Sequence, residues 1–288
     1  MLLIPPTRAP TLLPYYNLGL YMSNNQSTAT HRSIWNRAVD DVTETNNYAY
    51  LVNPSEHIIE DAVRDVYEGS NVSIRVLAPE RRIRSALNAF FLETRAAEAI
   101  ESGTMQIRTA EIPTVSFIVS PSTLNTIISV GETATIGELT DSDMRANLYS
   151  QSETEWKTGG EYTIRSPPIS RVQARLAEKF GKPVQDDFDA ALQRDTTVDG
   201  VILMLLLAAK HELQFYEIGR CGEELGIGSR ATFSRRKTML TENGVIGTES
   251  MQMDIGRPRQ QLLLDDSELA DLAFPELIQH VKRMMEQK

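Results

Sequence analysis

The chain has 288 residues, 41% of them apolar, which is room for about two domains and too apolar for a disordered chain. With 39 acidic against 29 basic residues the formal net charge is −10, the wrong sign for general polyanion binding, so any contact with nucleic acid must be local. The single cysteine, Cys221, excludes an internal disulfide framework; together with the lack of a membrane-length apolar run it points to a cytoplasmic protein with no membrane partner.

Residues 1–33 read as a disordered leader. Pro5, Pro6, Pro10 and Pro14 interrupt its apolar stretch and no small-residue cleavage site follows, which argues against a signal peptide. Met22 is a candidate for the true start. From 34 to 165 strand-like and helix-like patterns alternate. Ile34, Trp35, Ala38, Val39 and Val42 fall at helical spacing, and 48–52 (YAYLV) reads as a short buried strand. Ser55 stands as the N-cap of a helix reaching 67, a strand follows at 72–77, and 82–102 reads as one longer helix. Strands at 105–109, 115–119, 126–130 and 133–139 precede a helix that Asp141 caps and that runs to about 156. This order predicts an α/β domain with a mixed sheet. Residues 166–195 read as linker helices, stiffened by Pro167-Pro168, with Ser170 capping 171–180 and a further piece around Phe188 and Leu192.

Residues 196–288 carry the most informative pattern. The apolar run 198–213 predicts a buried helix. A short helix holding Ile218, Gly222 and Leu225 then ends at Gly226, where a left-handed residue is wanted. Ser229 caps a second helix, 230–242, which stops at Asn243-Gly244. Two short helices joined by a glycine turn are a helix-turn-helix signal. Two β-like segments around 254–260 complete a winged helix-turn-helix. Cys221, in the first helix of the motif, is expected to be buried and inert.

Around the second helix, Phe233 and Leu240 share one side, which must face the core. Ala231, Ser234, Arg235, Thr238 and Glu242 occupy the opposite side, with Arg230, Thr232 and Arg236 flanking it. Small and polar residues with arginines suit a helix entering the major groove of double-stranded DNA. Lys237 falls near the core side and is expected to reach a phosphate by snorkelling. Between Ser229 and Gln260 stand six bases (Arg230, Arg235, Arg236, Lys237, Arg257, Arg259) and three acids, a local charge of +3 in an acidic chain. Arg257 and Arg259 flank Pro258 on the wing, a chemistry suited to a narrow groove. The expected DNA-binding set is therefore Ser229, Arg230, Ala231, Thr232, Ser234, Arg235, Arg236, Lys237, Thr238, Arg257 and Arg259. Terminal helices follow at 267–272 and 275–285. Their stripe of Leu277, Val281, Met284 and Met285 fits core packing or a dimer seam, and a single reading head calls for a homodimer to read two half-sites.

Catalysis has no positive signal. His31, His57, His211 and His280 are scattered, no spacing resembles a metal site, and neither a phosphate-cradling glycine loop nor a nucleophile elbow occurs. No catalytic residue, cofactor or metal is expected.

The segments SRATFSRRKTMLTENGVIGTESMQMDIGRPRQQLLL, YLVNPSEHIIE and IRSPPISRV together resemble the haloarchaeal TrmB-suppressor-protein (TbsP) family of transcriptional regulators, from about Trp35 to the C terminus. The resemblance implies a DNA-binding regulator of central carbon metabolism genes that acts with a sugar-responsive co-regulator; the effector is unknown. The N-terminal order of elements also resembles phospholipase-D-like effector domains. The catalytic His-x-Lys pair is absent, since Ile58 and Ile59 follow His57, so dimerisation or ligand sensing is implied. Haloarchaeal origin would account for the acidic composition. The alternative is an enzyme of phospholipase or nuclease type targeted to DNA by the winged helix. A protein-interaction winged helix would instead present an acidic or apolar recognition face.

Overall fold

The computed structural model describes residues 31–39, 42, 48–112, 115–130, 133–194, 198–251 and 259–286. The leader up to residue 30 and the wing tip at 252–258 lie outside the described residues. Helix α1 (His31–Val39) is followed by β1 (Ala49–Val52), α2 (Glu56–Tyr67) and β2 (Ile74–Ala78). Next come α3 (Glu80–Ala86), α4 (Phe90–Glu101) and β3 (Met105–Thr109). A meander of β4 (Ser116–Val119), β5 (Leu124–Val130) and β6 (Thr133–Glu138) leads to α5 (Ser142–Thr158) and the two-residue β7 (Gly160–Glu161).

These strands form one mixed sheet in the order β6-β5-β4-β1-β2-β3-β7. The central β1, β2 and β3 run parallel, with helices as crossovers; β4, β5, β6 and β7 pair antiparallel. Side chains alternate between the two faces, as the period of two requires. Leu51, Val76, Ile107 and Ile118 join Trp35, Ile58, Ile59 and Val63 in a core between the sheet and α1–α4. Tyr50, Val52, Leu77, Phe117 and Leu124 point the other way, towards Trp156 of α5. All four β1 residues are buried, which explains why YAYLV lacks the alternation of a half-exposed strand.

A third core belongs to the helical second half. It gathers α6 (Ile169–Phe180), α7 (Lys182–Gln193), α8 (Gly200–Lys210), α9 (Phe215–Glu224) and α10 (Arg230–Glu242). The hairpin β8 (Ile246–Met251) and β9 (Arg259–Leu264), then α11 (Ser267–Ala270) and α12 (Phe274–Glu286), complete it. Residues 166–195, read as linker helices, therefore supply Val172, Leu176, Val184 and Phe188 to a shared core. Of the C-terminal stripe, Leu277 and Val281 are buried in that core, where α12 packs on α7 and α8, so they are not an open seam.

The single helix expected over 82–102 is broken. Leu87 leaves helical geometry at φ −93°, ψ 26°, and α4 restarts after an extended Ala89. The cause is tertiary: Phe90 and Phe91 turn away from the sheet into the helical core, where Phe91 meets Phe188 with ring centroids 5.5 Å apart. The expected cap at Ser170 is also displaced. Helix α6 begins at Ile169 after Pro168, and the backbone N–H and hydroxyl of Ser170 donate to Glu98 of α4, at 3.0 and 2.8 Å. Ser55 holds the N-cap position of α2, but its hydroxyl makes no capping bond. Asp141 does cap α5, accepting from the N–H groups of Asp143 and Met144.

The two halves share more than apolar contact. Arg95 of α4, only 8% exposed, donates to the carbonyl of Leu192 near the C-terminal end of α7 at 2.8 Å. Arg171 of α6 pairs with Glu101 at 3.2 Å.

Candidate nucleic-acid interface

Helix α8 is apolar all round and buried from Val201 to Ala209, so it forms the spine on which the motif packs. Asp199 caps it, one carboxylate oxygen accepting from the N–H groups of Val201 and Ile202. Helix α9 lies across α8 and α10 through Ile218, Cys221 and Gly222. Gly222 permits this close approach, since a Cβ there would stand 2.2 Å from the Phe233 ring of α10. Gly226 has φ +77°, the left-handed conformation expected where α9 ends. Ser229 then caps α10, its hydroxyl accepting from the Thr232 N–H at 3.2 Å.

Phe233 and Leu240 are fully buried, and Ala231, Ser234, Arg235, Thr238 and Glu242 are exposed on the opposite side of α10. The antiparallel pair β8–β9 follows, with the register Met251↔Arg259 at the end next to residues 252–258. Arg259 is exposed, and its guanidinium donates to Gln214 at 2.9 Å and lies 3.7 Å from Glu217. Arg257 lies outside the described residues. Lys237 bridges the helix and the wing: its ammonium donates to Gln260 at 2.7 Å and lies 4.8 Å from the centre of the Phe215 ring. Burial pushes its pKa below the usual lysine value.

Residues 23–167 match the N-terminal domain, and 168–282 the C-terminal helix-turn-helix domain, of the family described as TbsP-like transcriptional regulators. The chain belongs to that family. It is a DNA-binding transcriptional regulator, and the helix-turn-helix of this TbsP-like protein is the α8–α10 unit with its β8–β9 wing. No curated protein matches the chain. Among the solved structures similar to parts of it are two of known description. One is TrmBL2, an archaeal chromatin protein, at 11% identity and a TM-score of 0.34, covering 46% of this chain and 52% of that one. The chain thus spans about half the length of that protein. The other is Nuc, a phospholipase D family member from Salmonella typhimurium, at 14% identity and a TM-score of 0.33, covering 46% of this chain and 90% of that one.

Sequence reasoning missed the acidic partners of the interface arginines. Arg230 pairs with Glu223 at 2.6 Å and lies 5.6 Å from the Tyr216 ring. Arg236 pairs with the second oxygen of Asp199 at 3.1 Å. Arg235, by contrast, is exposed and makes no side-chain hydrogen bond or ion pair among the described residues. Tyr216, 48% exposed in the first turn of α9, was also unmarked; an aromatic on the polar side of a short amphipathic helix was the available signal. Behind this surface, Arg175, Lys179 and Arg220 converge on Glu224 at the end of α9 and hold its carboxyl at about 2. Burial pushes the Cys221 thiol up, as suits an inert core residue.

Among the described residues, no three His, Cys, Asp or Glu side chains group to hold a metal ion, and no helix is long and apolar enough to cross a membrane. His57 sits exposed at the rim of a cleft of about 510 Å³ beyond the end of β1, near Arg82 and Ser129.

Proposed function

We propose that this regulator acts as a homodimer reading two half-sites, with α10 in the major groove and the wing at 254–260 against flanking DNA. The observation that carries the reading is Arg235. Among the described residues it stands exposed and without a hydrogen-bond or ion-pair partner in the middle of a polar helix face, flanked by two arginines that carboxylates hold in place. A guanidinium so presented is free to bond a guanine edge bidentately. Arg230, Arg236 and Arg259 form exposed ion pairs worth about 0–1 kcal/mol each, so a DNA phosphate displaces the carboxylates at little expense. The contact set is residues 229–232, 234–238, 257 and 259.

The reading extends to the N-terminal α/β unit, 34–165, as a dimerisation or sensing unit without chemistry of its own; Ile58 and Ile59 after His57, in place of a His-x-Lys pair, support that. The target genes are those of central carbon metabolism in a halophilic archaeon, with a sugar-responsive co-regulator acting beside it in the cytoplasm. The net charge of −10 suits such a setting, where a Debye length of about 3 Å at 1 M salt leaves affinity to direct contacts.

Chromatin immunoprecipitation with and without sugar tests this. The expected result is a two-fold motif upstream of carbon-metabolism genes, with half-sites about one helical turn apart and sugar-dependent occupancy. Occupancy without a two-fold motif would refute the dimeric reading, and sites unrelated to carbon metabolism would refute the target assignment.

A further inference from the structure

A second cleft, of about 550 Å³, lies where the N-terminal sheet meets the chain leading into the helical half. Its charged wall comprises Glu80 and Arg84 of α3, Glu93 of α4, and Glu161 and Arg165 on the connecting segment, with Tyr162 between them. Three carboxylates face two guanidiniums, which disfavours a polyanion. Leu87 and the Tyr162 ring are its main apolar surface, too little for an apolar ligand.

Most of these charges already have partners. Arg84 pairs with Glu80, and Glu93 accepts from the backbone N–H of Arg165 at 3.3 Å and from the Ser166 hydroxyl. Two opposite charges remain. Neither the Glu161 carboxylate nor the Arg165 guanidinium makes an ion pair or side-chain hydrogen bond among the described residues. The Tyr162 hydroxyl lies within the field of Glu93, Arg84, Glu80 and Arg165, and burial raises its pKa, so it stays a protonated donor.

The geometry points to an effector site for a small zwitterion of the α-amino acid class, its carboxylate held by Arg165 and its ammonium by Glu161. This rests on the reading of the N-terminal unit as a sensor and names the ligand chemistry that unit would take.

The cleft touches both junctions to the DNA-binding half. Asn88 on its wall is two residues before Phe90. The Phe90 ring lies so close to Gly200 that a Cβ there would stand 2.6 Å away. Gly200 follows Asp199, which caps α8 with one oxygen and holds Arg236 of α10 with the other. Also on its lining, Glu93 holds residues 165 and 166, which lead into α6. A ligand that draws on Arg165 or Asn88 therefore pulls on packed contacts that end at α10, and whether those contacts carry coupling is measurable.

The test is calorimetry on the full chain with individual L-amino acids as probes, and with D-glucose and inorganic phosphate as controls. At least one amino acid is expected to bind, and Arg165→Ala and Glu161→Gln each to weaken it about tenfold or more, as for loss of a charge-assisted contact. Unchanged melting temperatures show that both variants fold. Absence of amino-acid binding, binding of glucose or phosphate alone, or affinity unchanged in both variants would overturn the site and leave the sensing reading standing. A second arm measures affinity for a DNA duplex selected by the protein from a random pool, with and without the bound amino acid. Native protein is expected to shift by about threefold or more, within the usual range of allosteric coupling. Asp199→Asn, which keeps the cap and loses the charge pair with Arg236, is expected to shrink the shift. Ligand binding with no shift in the native protein would overturn the effector role and the sensing reading together.

Discussion

Gly222 and Gly219 lie one turn apart on α9, both against Phe233, yet alanine is expected to act with opposite sign at the two. At Gly222 a Cβ would stand 2.2 Å from Cζ and 2.6 Å from Cε2 of the ring. Ordinary carbon contacts are about 3.5–4.0 Å, so something must move by about 1 Å or more. Phe233 is fully buried beside Gly228, and a rigid ring has little room to yield. Overpacking of this severity costs about 3 kcal/mol, and the better helix propensity of alanine offsets about 1 kcal/mol of that. Gly222→Ala is thus expected to lose about 2 kcal/mol in urea unfolding. At Gly219 the nearest ring atom would be 3.9 Å away, an ordinary contact, so Gly219→Ala is expected to gain about 0.5–1 kcal/mol. Shortening the ring in Gly222→Ala/Phe233→Leu should destabilise by less than the sum of the single changes. Equal stability of the two alanine variants would refute the view that Gly222 sets the spacing of α9 and α10.

Other expectations concern DNA and acid. Arg235→Ala should cost about 1–3 kcal/mol and relax base preference, whereas Lys237→Ala should weaken all sequences alike; selection from a randomised operator library separates the two, and an unchanged motif with Arg235→Ala would move the groove face elsewhere. Arg257→Ala/Arg259→Ala should abolish a preference for A·T-rich flanks while keeping the core motif, measured on one operator core with A·T-rich or G·C-rich flanks; native protein indifferent to the flanks would reduce the wing to a phosphate contact. Glu224 is held at about 2, below the usual glutamate value of 4.5, so its ion pairs stabilise the fold above pH 4.5 and are lost as pH falls towards 2. Glu224→Gln should therefore flatten the stability–pH curve in that window; a curve parallel to the native one would show that solvent screens the cluster fully.

The elements most legible in the sequence are those whose limits are set locally. Ser229 and Asn243-Gly244 bound α10 by capping chemistry, and the apolar run of α8 announces its own burial. The exposed face of α10 followed from the positions of Phe233 and Leu240 alone. What stayed hidden depends on residues far apart in the chain. The break before Phe90 exists because Phe91 meets Phe188, and Ser170 is diverted from capping by Glu98. The ion pairs of Arg236 and Arg259 escaped notice for the same reason. No periodicity on α10 reports that Asp199 stands opposite Arg236, 37 residues away in sequence.

Arg95 changes what a truncation of this protein would mean. Its guanidinium reaches from α4 to the carbonyl of Leu192, beside two phenylalanines that lodge among the helices of the second half. Severing the chain at the boundary between the two matched regions, after residue 167, would strand that arginine and both rings on one fragment and their sockets on the other. Each fragment would display a raw, water-averse scar, the N-terminal one with a charged group in its midst, and would tend to aggregate. Evolutionary modules and cooperative melting units need not share a border, and here the fastening between them is part of the body of each.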